Sequence, residues 1–82
     1  MIYATAAELS QILHDADPMG TSCNVNAGME DEYDSIAVTI LEYAEDMSDA
    51  EAVERAIIYW FDEYLLERSR AKLFKCIPSS EF

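Results

Sequence analysis

Two sets of side chains in this 82-residue sequence could do chemistry. The first is His14 with Cys23. A histidine can take the proton of a thiol and leave a nucleophilic thiolate, provided that a further group orients the ring. Nothing else in the sequence supports activation of Cys23. His14 falls near the C-terminal end of a predicted helix, where a partial positive charge is favourable and a structural role suffices. The second set is Glu30-Asp31-Glu32-Tyr33-Asp34. Clustered carboxylates can collect a divalent cation, but the calcium loop places its ligands at alternating positions around a glycine, which this run lacks. A carboxylate pair for glycoside hydrolysis needs a cleft that a small bundle seldom provides. Cys23 and Cys76 stand far apart without CxxC spacing, so reduced thiols are expected rather than a disulfide or a zinc site. The reading is a non-enzyme with no catalytic residue, no cofactor and no metal.

The elements that position these residues read as helices throughout. Thr5-Ala6-Ala7-Glu8 is a capping box, and Leu9, Ile12, Leu13 and Ala16 recur at helical spacing behind it. Pro18 ends this first helix, expected over about 5–16, and Asp17-Pro18-Met19-Gly20 reads as a turn. Residues 21–28 are small and polar and read as a loop. A second helix over 30–47 carries the acidic run in its first turns, where the helix dipole favours anions. Its apolar stripe is Tyr33, Ile36, Ala37, Ile40, Tyr43, Ala44 and Met47, and Glu42, Glu45 and Asp46 fall off it.

Ser48-Asp49-Ala50-Glu51 is a second capping box and opens a third helix over 49–68 or longer. The run Ile57 to Phe61 is apolar almost all round, which makes this the expected central helix. Ser69 marks a break, leaving room for a short further element over 70–77 that packs Leu73, Phe74 and Ile77. Residues 78–82 are expected to fray. No period-2 alternation points to a strand. The fold class is therefore all-α, one domain over 1–82, a small antiparallel bundle of three to four helices. Of the aromatic residues Tyr3, Tyr33, Tyr43, Tyr59, Trp60 and Tyr64, most are expected in the core. Tyr33 and Tyr43 are the first candidates for exceptions, because acids surround them, although core packing is the favoured reading for any one of the set.

The charge decides which partners are excluded. The chain holds 17 acidic and five basic residues, a formal net charge of −12. Residues 1–54 contain 13 acids and no Lys or Arg, while the remainder carries a net +1. Such a surface repels phosphate backbones and anionic membranes. The longest apolar run, Ala56 to Phe61, is too short to span a bilayer, and the N-terminus does not read as a signal peptide. A cytoplasmic protein is expected.

Two motifs carry a resemblance. Asp17-Pro18-Met19-Gly20 followed by Asp31-Glu32-Tyr33-Asp34 resembles the DPxG…DEYD pattern of a family of short bacterial helical domains. Several members of that family sit among polymorphic-toxin immunity genes. The likeness spans roughly residues 9–47 and assigns no chemistry. Size, acidity and helical character also resemble the immunity proteins of nuclease bacteriocins and of contact-dependent growth inhibition systems. The resemblance implies an antitoxin that binds and neutralises a basic toxin domain, with a nuclease as the leading class. A nuclease must bind a polyanion, so its cleft is basic and an acidic inhibitor can occupy it. The expected contact surface is Glu30, Asp31, Glu32 and Asp34 with Tyr33 as an aromatic contact, extended by Glu42, Glu45 and Asp46. The alternative is a non-catalytic interaction or regulatory domain with no toxin partner.

Overall fold

The computed structural model describes residues 1–20 and 33–82. These form four helices: α1 (Ala6–Ala16), α2 (Asp34–Tyr43), α3 (Asp49–Trp60) and α4 (Glu63–Cys76). Each helix packs on its neighbours in the chain, and α4 returns to α1, so the four close a ring around one core. An all-α bundle is what the periodicity required.

Helix α1 starts where its capping box places it. Thr5 Oγ1 accepts from the Glu8 amide and Glu8 Oε1 accepts from the Thr5 amide, both at 3.2 Å. It ends at Asp17, whose left-handed backbone (φ 45°) lets its amide bond to the Leu13 carbonyl at 2.8 Å. Aspartate tolerates this region better than most residues. Gly20 also takes positive φ (69°), and its amide closes the turn on the Asp17 carbonyl at 3.0 Å.

Helix α2 is shorter than the expected 30–47. Residues 30–32 lie outside the described residues. At its other end the helix stops at Tyr43, and tighter i→i+3 bonds follow, from the Glu45 amide to Glu42 and from the Asp46 amide to Tyr43. Two effects oppose continuation. Glu42, Glu45 and Asp46 would pile negative charge on the negative end of the helix dipole. Ser48 must be extended (φ −62°, ψ 156°) to cap α3 through the Glu51 amide. Only half of that second capping box forms, because the Glu51 carboxylate turns to Arg55 instead.

The third helix does not run to residue 68. It breaks at Phe61–Asp62, where extended Asp62 accepts from the Leu65 amide at 2.8 Å and starts α4. Aspartate is a weak residue inside a helix and a strong one at its N-cap, and the acidic Glu63 that follows favours the same end. Ser69, the expected break, instead lies inside α4 with its hydroxyl donating to the Leu65 carbonyl at 2.7 Å. What was expected as a short element over 70–77 is thus the second half of a full helix.

The core comprises Leu9 and Leu13 of α1, Ile36, Ala37 and Ile40 of α2, Val53, Ala56 and Ile57 of α3, and Leu66 and Leu73 of α4, with Tyr33, Ile2 and Ile77. The last turn of α3 is not central. Ile58, Tyr59 and Trp60 are exposed, because the helix buries one face only and ends there.

Residues 78–82 do not fray. Ile2 and Ser79 form an isolated antiparallel bridge, the Tyr3 amide bonds to the Pro78 carbonyl at 2.8 Å, and Phe82 stacks tilted on Phe74 at 4.8 Å. At the centre of this clasp is the buried carboxylate of Asp49. It accepts from the Ser79 hydroxyl and pairs with the Met1 ammonium at 2.8 Å. Glu81 adds contacts to both the ammonium and the Asp49 amide. Burial alone raises the Asp49 carboxyl, the largest single effect. The ammonium and the Ser79 hydroxyl together outweigh it and hold the group below its ordinary value.

Candidate protein-interaction surface

The expected contact residues do not stand together as one patch. Glu30, Asp31 and Glu32 lie outside the described residues, as does Cys23. Tyr33 is a correction. It is fully buried, so it is not a surface aromatic. Its hydroxyl donates to Asp17 Oδ1 at 2.9 Å and accepts from the Met19 amide at 3.1 Å. The two halves of the DPxG…DEYD pattern therefore meet, and their tyrosine joins the end of α1 to the start of α2. A buried ring with a satisfied hydroxyl is structural. Its place on the stripe with Ile36, Ala37 and Ile40 was the signal for this; the neighbouring acids pointed the other way.

Asp34 is exposed but not idle. Its carboxylate accepts a hydrogen bond from Ser10, a buried hydroxyl of α1. Asp34 therefore ties α2 to α1 as well as adding charge. Glu42, Glu45 and Asp46 are exposed, and their side chains make no hydrogen bond or ion pair among the described residues. Within the described part of the expected surface, these three are the carboxylates without a side-chain contact.

The aromatic expectation inverts at the other positions too. Tyr43 is half-buried against the core, whereas Tyr3, Tyr59, Trp60 and Tyr64 are exposed. Tyr59 and Trp60 meet edge to face with centroids 5.2 Å apart. On one side of this pair is a concavity of about 550 Å³, with an apolar floor of Tyr43, Met47, Ile58 and Tyr59 and a charged rim of Glu51, Glu54 and Arg55. On the other side a hollow of about 310 Å³ is lined by Asp34, Ser35, Val38, Thr39 and Trp60.

Trp60 is held rather than loose. Its indole Nε1–H donates to Thr39 Oγ1 at 2.9 Å, and Thr39 in turn donates to the Ser35 carbonyl at 2.8 Å. That second bond fixes the hydroxyl proton and leaves a lone pair for the indole. Trp60 remains 45% exposed and the adjoining Val38 44%. At about 100° per residue, Asp34, Val38 and Glu42 follow one another up the same outer face of α2. Sequence periodicity alone concealed Trp60, because it sits in register with the buried stripe of α3.

Basic residues do not offset this face. Arg55 pairs with Glu51, and Arg70 bridges Glu54 and Glu67. Arg68 lies over the Tyr64 ring on α4. His14 lies 3.5 Å from Asp15, with its ring largely covered. Among the described residues no group of three or more acidic, histidine or cysteine side chains is placed to hold a metal ion, and no helix is long and apolar enough to cross a membrane. Comparisons with protein-family models, with curated proteins and with solved structures returned no match to this chain.

Proposed function

We propose that this protein is an immunity-type inhibitor. It binds and neutralises a basic toxin domain through the outer face of α2, and acts in the cytoplasm without chemistry of its own. A nuclease is the toxin class that fits best, because a cleft built for a polyanion is necessarily basic.

One observation carries the reading. Glu42, Glu45 and Asp46 gather at the C-terminal end of α2 and in the turn after it, with no compensating base. Negative charge at Glu42 opposes the α2 dipole and costs the fold roughly 0.3–1 kcal/mol, and the three carboxylates also repel one another. A basic partner would turn that cost into attraction and speed its own capture.

The test is to capture the partner of the tagged full chain and measure its association rate against salt. A basic partner domain is expected, with a rate falling at least about tenfold from low to physiological ionic strength. A partner that is itself acidic, or a rate indifferent to salt, would sink the proposal.

A further inference from the structure

The Proposed function rests on charge, and charge alone gives speed more than grip. The structure offers a candidate for the grip. Trp60 is the chain's sole tryptophan, half exposed, and preorganised by its bond to Thr39. Tryptophan is among the residues that dominate binding energy when a partner closes over it. Beside it, Val38 completes an apolar floor, and Asp34 lines the same hollow. Glu42 stands one helical turn beyond Val38.

We infer that this hollow is a receptor for a lysine or arginine side chain of the basic partner, with Trp60 as its anchor. The inference rests on the reading of a basic partner. The aliphatic stem lies on the Val38 and Trp60 floor, and the cationic head meets the indole face and the one carboxylate that lines the hollow, that of Asp34. Long basic side chains are built for such a site, since they bury their stems and keep their heads charged. A second copy of this chain is a poor occupant, because a net charge of −12 would bring like against like.

The hollow contrasts with the larger concavity beyond Tyr59. That one already holds Arg55, paired with Glu51, on its rim. Its charge is partly compensated within the molecule, whereas the Trp60 side presents carboxylate and aromatic surface without a cation.

The test uses the full chain and a probe peptide about four helical turns long, with Leu on one face and Arg on the other. An equally charged Arg–Gly peptide is the control. Emission of the sole tryptophan reports contact directly, and calorimetry gives affinities. The Leu–Arg peptide is expected to shift the emission and to bind about tenfold more tightly than the control. Trp60→Ala should lose about tenfold in affinity while circular dichroism stays native, and Trp60→Phe should lose less. If Trp60→Ala binds like the parent while Glu42→Lys with Asp46→Lys does not, the anchor is wrong and the basic-partner reading survives. If neither peptide binds at low salt, both fall. Sedimentation showing a dimer that Trp60→Ala dissolves would also overturn the inference, in favour of a second copy.

Discussion

Among the described residues, composition does not distinguish two populations of acids. In the first, geometry supplies a donor. Glu8 caps α1, Asp62 caps α4, Asp17 receives Tyr33, Asp34 receives Ser10, and Asp49 receives Ser79 and the Met1 ammonium. Glu51 holds Arg55, and Glu54 and Glu67 share Arg70. In the second, Glu42, Glu45 and Asp46 face solvent at the unfavourable end of a helix. The first population builds the fold. The second weakens it, and that difference in sign is why a partner is sought for the second; Asp34, bonded to Ser10 yet lining the Trp60 hollow, is the one acid that belongs to both.

The sharpest way to break the comparison is to remove a donor from the first population. Tyr33→Ala empties a buried ring site and leaves the Asp17 carboxylate and the Met19 amide without their hydroxyl. Loss of about 3–5 kcal/mol is expected in denaturant unfolding. Tyr33→Phe keeps the ring and should cost only about 1–2 kcal/mol. A change below about 0.5 kcal/mol for Tyr33→Ala would contradict its place in the core.

Asp49→Ala tests the clasp between the chain ends, with an expected loss of about 2 kcal/mol from the orphaned Ser79 and the broken ion pair. The exposed ammonium contributes the smaller part, because solvent screens it. The pH profile supplies the sign. The folded state holds the Asp49 carboxyl below its ordinary value of 3.8, so its contribution is present above that value and lost as pH falls through the folded one. The Met1 ammonium, hydrogen-bonded to Asp49, is held above its ordinary value of 8.0. Its contribution is full below 8.0 and is lost as pH rises through the folded value. Asp49→Ala should therefore flatten stability at both edges of this window, which unfolding midpoints across pH would measure.

These tests also locate what the sequence made legible. Helix α1 was readable to within one residue, because its capping box, apolar stripe and Asp-Pro turn all agree. The break at Asp62 was not. No Gly or Pro interrupts Met29 to Ile77, and the apolar period runs straight through Phe61, so a cap residue had to be weighed against continuous hydrophobicity. Tyr33 and Trp60 exchanged roles for a related reason. Periodicity assigns a residue to a helix face but says nothing of how far that helix extends past the core. Trp60, in the last turn of α3, sits where the core has ended.

The second population answers in the opposite direction. Replacing Glu42, Glu45 and Asp46 by Lys should raise stability by roughly 0.3–1 kcal/mol, as the cation at position 42 now faces the negative end of α2. The same variant should slow association with a basic partner by about tenfold or more. Thermal unfolding and stopped-flow binding read the two effects separately. A variant that is less stable, or one that binds as fast as the parent, would remove the reason for separating these acids from the rest.

The smallest effect on association belongs to Asp62→Ala, and it sets the lower bound of the comparison. Its side chain satisfies one amide at the start of α4, so about 1 kcal/mol should be lost. Asp62→Asn retains an oxygen acceptor and should lose less, whereas a role based on charge alone would make Asn as harmful as Ala. Neither change should alter association with a basic partner by more than about twofold, because the acid acts through a hydrogen bond inside the molecule. If Asp62→Ala slowed capture as much as reversal of the α2 acids, long-range field would outweigh local placement. The whole acidic surface would then be the functional unit, rather than one face of it.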